Sequence, residues 1–224
     1  MEKYQNINIL YEDNHLLVVI KPANLPVCPD SSKDKDLLSI LKEYLKEKYH
    51  KPGNVYLGLV HRLDRPVSGI MVFAKTSKAA QRLSKQINNK ELKKTYYAVI
   101  IGIPKNKDTL TDYLYKDETT NTSYVTNNNS GKLSTLEYSI IKSNNNLSLI
   151  KINLLTGRHH QIRVQFSSRN HPLYGDHKYN KSIKKDDKSD IALIAKELSF
   201  YHPTTKKLLH FEINLPQKYP YTLF

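Results

Sequence analysis

The chain has 224 residues, with 35 Lys and Arg against 21 Asp and Glu, so its formal net charge is +14 at pH 7. This length favours one domain, or two subdomains that share a core, and the 39% hydrophobic content argues against a disordered chain. The longest apolar run is too short for a membrane span or a secretory signal, and the single cysteine excludes an intramolecular disulfide. We therefore expect a cytoplasmic protein, not associated with membranes, that binds a polyanion.

Apolar periodicity in the first half of the chain predicts a hairpin, a buried strand and two helices. Alternation and a short apolar run mark the strands, and apolar residues three and four apart mark the helices. In chain order the predicted elements are strands at 7–11 and 16–20, a helix at 37–49, a strand at 70–74, and a helix with Ser77 as N-cap.

The second half is richer in strands. In chain order it predicts strands at 96–101, 133–141 and 147–155, a helix at 159–166, and a strand at 208–213. Two polar segments, 117–132 and 180–190, predict irregular surface insertions, the second of them mobile. Because strands outnumber helices and hairpins recur, we expect an α+β fold with a central mixed, mainly antiparallel β-sheet flanked by helices.

Arginine is scarce and concentrated. Only six of the 35 basic residues are Arg, and five of those six lie in two short segments. The first segment, 61–69, reads HRLDRPVSG. Asp64 lies there between Arg62 and Arg65 in a loop suited to an anionic ligand, although Asp64 pairing with a neighbouring Arg to stiffen the loop explains the pattern equally well. The evenly spread Lys excess is interpreted as a diffuse field that gathers a polyanion.

The second segment, 157–176, begins with GRHHQIR at 157–163 and continues through Arg169 to HPLYGD at 171–176. A helix that begins at His159 would present free backbone N–H groups near Gly157, which favours phosphate binding, whereas a capped helix with a solvated basic face is the alternative. A third segment, KKTYYA at 93–98, places adjacent tyrosines on opposite faces of a strand. One of them can enter the core and the other a cleft, although strand tyrosines usually serve packing.

Taken together and in this order, these segments resemble the RNA pseudouridine synthases of the RluA type. The resemblance covers about residues 7–215 and is most specific at HRLD with the following Ser-Gly and at GR-x-HQIR. It implies the pseudouridine synthase fold with an active-site cleft, and an isomerase that converts specific uridines in ribosomal or transfer RNA to pseudouridine. It further implies one catalytic domain, 1–224, without a separate N-terminal RNA-binding domain, a monomer with no obligate protein partner, and no cofactor or metal.

The resemblance also implies roles for individual residues. Asp64 matches the essential catalytic carboxylate, Tyr96 the tyrosine that lies against the target base, and Arg163 the arginine that pairs with the catalytic Asp. Arg62 matches the arginine associated with base extrusion. Motif positions with architectural or RNA-contacting roles are His61, Arg65, Arg158, His160 and Gln161.

The conversion of uridine to pseudouridine requires a carboxylate near the sugar. Cleavage of the N1–C1′ bond of uridine builds positive charge on the sugar. A carboxylate can stabilise that charge, attack the sugar or remove a sugar proton, and the sequence does not distinguish these three roles. No second acid accompanies Asp64 in its motif, which suits an isomerisation in a closed, partly apolar pocket better than a hydrolysis.

Two other functions compete with this interpretation. A non-catalytic RNA-binding or ribosome-assembly protein could use the same scaffold, although the presence of Asp64, Tyr96 and Arg163 weighs against it. A metal hydrolase would need a ligand set drawn from His159, His160, His171 and His177. Adjacent histidines rarely point at one metal from a regular helix, and no cysteine or carboxylate spacing completes that set.

Overall fold

The computed structural model describes residues 2–30, 32–127, 130–184 and 186–224. The first elements in chain order are β1 (Glu2–Tyr4), β2 (Ile7–Glu12), β3 (Leu16–Lys21), α1 (Leu37–Lys48), β4 (Gly58–Leu59), β5 (Ser68–Ala74) and α2 (Ser77–Asn88). They are followed by β6 (Lys93–Ile101), β7 (Lys107–Asp117), β8 (Thr122–Thr126), β9 (Lys132–Asn144), β10 (Leu147–Leu154), α3 (Gln161–Ser167), β11 (Leu193–Tyr201), β12 (Leu208–Glu212) and a 3-10 helix at Tyr221–Leu223.

These elements fall into two compact units. Unit 1 comprises the residues up to Lys93 together with Ala195–Ile213, and unit 2 comprises Lys94–Ile194 and Asn214–Phe224. In unit 1 the strand order is β1-β2-β3-β5-β11, with β4 also paired to β5 and β12 paired to β11. Strands β3 and β5 run antiparallel, and their buried residues occupy both faces.

One face of the unit 1 sheet packs against α2. This apolar cluster consists of Leu16, Val18, Ile70, Val72, Ala74, Ala79, Leu83, Leu92, Leu198 and Phe200. Burial at this density makes β3 and β5 a stiff support, because close-packed interiors tolerate little displacement. The loops that leave the ends of these two strands therefore start from fixed positions.

The predicted N-cap of α2 is wrong by one residue. Thr76, which has an extended backbone, accepts a hydrogen bond on its side chain from the Ala79 amide at 3.1 Å, and Ser77 is the first helical residue. Extended geometry with a side-chain acceptor is what an N-cap requires, and Thr and Ser both supply the oxygen. Asp36 caps α1 in the same way, through the Ser39 amide at 3.0 Å.

Unit 2 is an antiparallel sheet in the order β6-β10-β9-β7-β8. The helix α3 has only seven residues, and the ring of its Phe166 lies 5.1 Å from that of Tyr138 on β9. The predicted helix start at His159 is wrong. His160 takes a left-handed backbone with φ of +53°, so the helix begins at Gln161.

The prediction of an irregular insertion at 117–132 is also wrong in part. Strand β8 lies within that segment and pairs with β7, with Tyr124 opposite Tyr115. Thr, Tyr and Val at 122–126 favour a strand, but the Asn-rich flanks hid this signal. The described residues of 180–190 contain turns and bends and neither a helix nor a strand. Asn128, Asn129 and Lys185, which belong to the two segments, lie outside the described residues.

The α+β class with a mainly antiparallel sheet and flanking helices is confirmed. Strands β1, β4, β7 and β11 were not predicted, since they are short, polar on one face or lack clear alternation. Within the described ranges, no helix is long and apolar enough to cross a lipid bilayer.

Candidate active site

The HRLDR loop leaves the sheet of unit 1 where β3 ends and β5 begins. Lys21, the last residue of β3, lies opposite Gly69 of β5, so the loops that follow Lys21 and precede Gly69 share one end of the sheet. Gly69 has φ of +134°, and a Cβ there would lie 2.4 Å from the carbonyl oxygen of Ala195. Only glycine accommodates both this backbone conformation and this approach, which explains the Ser-Gly that follows HRLD.

Lys21 anchors that loop from inside the protein. Its side chain is fully buried, and Nζ donates to the carbonyl oxygens of Pro22 at 2.9 Å, Leu25 at 2.7 Å and Arg65 at 2.9 Å. Burial lowers the pKa of Lys21 to about 7, partly opposed by the negative charge of Asp64. The motifs assigned no role to this lysine, because a Lys at the end of a strand is ordinary until its burial is known.

Asp64 itself lies half-buried in a tight turn. Its carbonyl oxygen accepts a hydrogen bond from the Val67 amide at 3.0 Å. Next to it, Arg65 points to the preceding loop, where its guanidinium binds Asp34 and donates to Ser32 Oγ at 3.0 Å. Arg65 is therefore occupied by a carboxylate of its own unit, which makes it a weaker candidate for an RNA contact.

The two other basic positions of this motif differ in burial. Arg62 is exposed, and neither a hydrogen bond nor an ion pair joins it to another described residue. His61 is buried, and its Nε2 accepts a hydrogen bond from the Val72 amide of β5 at 3.1 Å. This contact favours an architectural role for His61 and leaves Arg62 as the arginine directed to solvent.

In unit 2, the central side chain of the GRHHQIR motif is Arg163 on α3. Its Nε and one terminal nitrogen donate to the two oxygens of Asp176 at 2.8 and 2.7 Å, and both side chains are buried. Asp176 also accepts from the backbone amides of Lys178 at 3.0 Å and Tyr179 at 3.2 Å. This bidentate pair fixes the guanidinium plane, because its fork matches a carboxylate. Asp176 comes from the HPLYGD motif, to which the sequence assigned no role.

The neighbouring histidines belong to a hydrogen-bond network. Tyr179 Oη lies 2.7 Å from His160 Nδ1 and accepts from the Ser123 amide at 2.8 Å. His159 Nδ1 lies 2.8 Å from Ser123 Oγ, and the two histidine rings are 3.7 Å apart. Burial, followed by the charge of Arg163, lowers the pKa of His160 to about 2, so its ring is neutral. A neutral, half-buried ring that is held by Tyr179 favours an architectural role.

Gln161 holds the turn before α3. Its Oε1 accepts from the Arg158 amide at 3.0 Å and from Thr156 Oγ1 at 2.8 Å, while its Nε2 donates to Gln165 at 3.1 Å. The predicted free backbone donors are therefore wrong at Arg158, whose amide is used inside the turn. The Arg158 side chain is exposed, and its Nε donates to the carbonyl oxygen of Leu133 at 3.2 Å.

The two adjacent tyrosines of β6 point to opposite faces, as predicted. Tyr96 is only 5% exposed and lies opposite Ile152 in the register with β10. Tyr97 is partly exposed, and the ammonium of Lys151 lies 5.8 Å from the centre of its ring. The tyrosine picked by the motif is thus the more buried of the pair.

The four histidines of the metal-hydrolase alternative do not converge. Besides the contacts of His159 and His160, His171 Nδ1 lies 3.1 Å from the Ile101 carbonyl and His177 Nε2 lies 2.9 Å from that of Ser189. Among the described residues, no three His, Cys, Asp or Glu side chains are arranged to hold a metal ion. The arrangement therefore gives this alternative no support.

Known proteins are similar to this chain in both sequence and fold. The family model for RNA pseudouridylate synthase matches residues 15–168. The chain is 34% identical over 221 residues to ribosomal large subunit pseudouridine synthase D of Zymomonas mobilis, covering 94% of this chain and 70% of that protein. It is 33% identical over 223 residues to an uncharacterized RNA pseudouridine synthase of Aquifex aeolicus, covering 95% and 71%.

Structural similarity extends over the whole chain. The human protein RNA pseudouridylate synthase domain containing 4 matches with a TM-score of 0.77 at 21% identity, covering 94% of this chain and 89% of that one. The human domain containing 1 matches with a TM-score of 0.75 at 22% identity, covering 100% and 96%. These two structures share the fold, and the family match supplies the chemistry. The chain belongs to the RNA pseudouridine synthases of the RluA type, which are isomerases that act on RNA.

Proposed function

We propose that this protein converts uridine to pseudouridine in ribosomal RNA, with Asp64 as the catalytic carboxylate. The name of the Zymomonas mobilis relative, a ribosomal large subunit pseudouridine synthase, supports ribosomal RNA as the substrate class. In this proposal residues 1–224 act as one catalytic domain and as a monomer, without a cofactor. Each unit carries a net charge of +7, which suits an RNA partner without selecting a base.

The reaction leaves the composition of the nucleotide unchanged. The N1–C1′ bond breaks, the uracil turns, and a C5–C1′ bond forms, while C5 loses its proton and N1 gains one. Asp64 stabilises the sugar cation, attacks it or takes a sugar proton. The observation that carries the proposal is the anchoring of its loop by Lys21. A carboxylate acts best on developing charge when it is held in place before the reaction.

Other motif residues complete the proposal. Tyr96 lies against the target base, where stacking of about 1–3 kcal/mol offsets part of the cost of taking the base out of its stack. Arg163 pairs with Asp64. Asp176 engages Nε and one terminal nitrogen of Arg163, and a guanidinium has five N–H donors, so Asp176 can orient Arg163 for a second carboxylate. Arg62 assists base extrusion.

The remaining motif residues divide by burial. The exposed side chains of Arg158 and Arg65 contact the RNA backbone, with Arg65 the weaker candidate of the two. His61, His160 and Gln161 hold the two motif loops through the hydrogen bonds described above. Loss of a holding residue is therefore expected to disturb folding as well as RNA binding.

The test is tritium release from transcripts of large-subunit ribosomal RNA that contain uridine labelled at C5, since the new C5–C1′ bond displaces that hydrogen. We expect release with the wild type and a rate at least about 1000-fold lower with Asp64→Asn, because the charged group that faces the sugar is lost. RNA affinity should change by less than about twofold. The exposed Asp186→Asn variant is the matched control.

The outcomes separate the competing functions. Wild-type protein that binds RNA but releases no tritium from ribosomal or transfer RNA would make it a non-catalytic RNA-binding protein. Release from transfer RNA alone would change the substrate class and keep the reaction. Mapping pseudouridine across the RNA of cells with and without the protein would then locate the modified uridines.

A further inference from the structure

Lys94 stands beside the proposed base-binding tyrosine. It precedes Tyr96 by two residues on β6, so the two side chains lie on the same face of the strand. Thr95 lies opposite Asn153 of β10, which ends one residue later. Lys94 is therefore next to the point where the chain leaves β10 and turns toward α3. In that turn, a Cβ on Gly157 would lie 3.4 Å from Lys94 Nζ. The ammonium thus lies against the backbone of the first residue of the GRHHQIR motif.

This ammonium is partly shielded from water, and no counter-charge reaches it among the described residues. Burial lowers the pKa of Lys94, and neither a hydrogen bond nor an ion pair joins its Nζ to another described residue. Two other shielded lysines differ, since Lys21 has three carbonyl partners and Lys75 binds Glu12. A charge taken out of water is unfavourable until an opposite charge or hydrogen-bond acceptors reach it. The site is therefore predisposed to an anion.

We propose that Lys94 Nζ binds a backbone phosphate of the substrate RNA, next to the uridine whose base lies against Tyr96. This inference rests on the proposed function. Alternate side chains on a strand are roughly 7 Å apart. The base and the phosphate of one nucleotide, which are joined through a single ribose, are separated by a comparable distance. Lysine is a compact point charge with three donors, which suits a phosphate oxygen. Glycine at 157 keeps a side chain away from that ammonium.

The first experiment measures binding of a transcript that spans a modified uridine, at several salt concentrations. Lys94→Met should weaken binding about fivefold to tenfold and reduce the slope of log Kd against log salt by about 0.7–0.9, the loss of one phosphate contact. The rate at saturating RNA should stay within about twofold. Lys93→Met is the matched control, since Lys93 is its exposed neighbour, and it should change Kd by less than about twofold. Lys94→Arg should recover part of the affinity.

The second experiment removes the charge from the RNA instead. A methylphosphonate at the phosphate next to the modified uridine should weaken binding to the wild type by the same factor as Lys94→Met. Combined with Lys94→Met, it should cause no further loss. The proposal would be overturned if the effects of the methylphosphonate and of Lys94→Met on Kd multiplied when combined. An unchanged Kd in Lys94→Met would overturn it as well.

Folding and function are controlled separately. Thermal unfolding checks each variant, and if Lys94→Met does not fold, the polar but uncharged Lys94→Gln takes its place in the same cycle. Binding is measured with Asp64→Asn as the background, so it does not depend on turnover. An active wild type without coupling overturns the Lys94 site alone, whereas an inactive wild type overturns the proposed function.

Discussion

The two units hold their motif loops by different chemistry, although each carries a net charge of +7. In unit 1 the buried ammonium of Lys21 donates hydrogen bonds to three backbone carbonyls. In unit 2 the buried guanidinium of Arg163 forms a bidentate ion pair with the carboxylate of Asp176. Lysine suits scattered oxygens because its three donors rotate, and arginine suits a carboxylate because its fork is planar. Carbonyl oxygens hold the Lys21 ammonium in position, whereas the Asp176 carboxylate both pairs with the charge of Arg163 and fixes the orientation of its guanidinium.

The basic residues form a less uniform surface field than their even spacing in the sequence predicts. Lys21 is part of the interior and not of a diffuse surface field. Three of the five clustered arginines bind carboxylates of their own unit: Arg65 binds Asp34, Arg163 binds Asp176 and Arg169 binds Asp112. A count of basic residues in a sequence therefore overstates the number of positive side chains that an RNA can meet.

The largest expected effect is that of Asp176→Asn in unit 2. Asparagine removes the negative charge that engages Nε and one terminal nitrogen of the buried Arg163, which should lower the free energy of unfolding by roughly 3–5 kcal/mol in urea titrations. The exposed Asp186→Asn should change it by less than about 0.5 kcal/mol. An effect of Asp176→Asn no larger than that of this control would show that the ion pair does not anchor α3.

A smaller effect is expected for Lys21→Met in unit 1. Methionine fills similar space but leaves three carbonyls without their donor, at a cost of roughly 2–4 kcal/mol in the same titration. Because the loop of Asp64 loosens, the rate of tritium release at saturating RNA should fall more than RNA affinity. Lys78→Met, at an exposed position of α2, is the control. Normal turnover in Lys21→Met would show that the hydrogen bonds of Lys21 are not needed for catalysis.

A third buried contact network, also in unit 1, surrounds the carboxylate of Glu12 with two lysines and two tyrosine hydroxyls. Glu12 accepts hydrogen bonds from Lys75 at 2.7 Å and Lys48 at 3.0 Å, and from the hydroxyls of Tyr44 at 2.7 Å and Tyr49 at 2.6 Å. Burial raises the pKa of Glu12, but these four donors together outweigh it and lower the pKa from 4.5 to about 2. The cluster ties α1 to the end of β2.

The smallest effect, and the one that depends on pH, is that of Glu12→Gln. The folded-state pKa lies below the unfolded one, so Glu12 stabilises the fold above pH 4.5, and this contribution is lost as the pH falls toward 2. At pH 7 the variant should lose roughly 1–3 kcal/mol. The difference from the wild type should shrink between pH 4.5 and 2 in unfolding titrations. Glu43→Gln, on the exposed face of α1, is the control.

The sequence alone determined the family and the motif residues. HRLD, the Tyr of the third segment and GR-x-HQIR occur in one order, and several ordered matches are specific even when each one is weak. Strong periodicity also located α1 and α2 and strands such as β3 and β10 to within a few residues. These signals are local, because each depends on residues a few positions apart.

Only the tertiary structure decided which charged side chains are shielded by the fold and which are exposed to solvent. Lys21 binds the carbonyl of Arg65, 44 positions along the chain, and Lys94 meets Gly157 across the end of β10. The sequence motifs that contain these two lysines do not reveal that the fold shields either one. The energy of a charge depends on its solvation and on the partners that folding brings to it, and both are properties of the assembled chain.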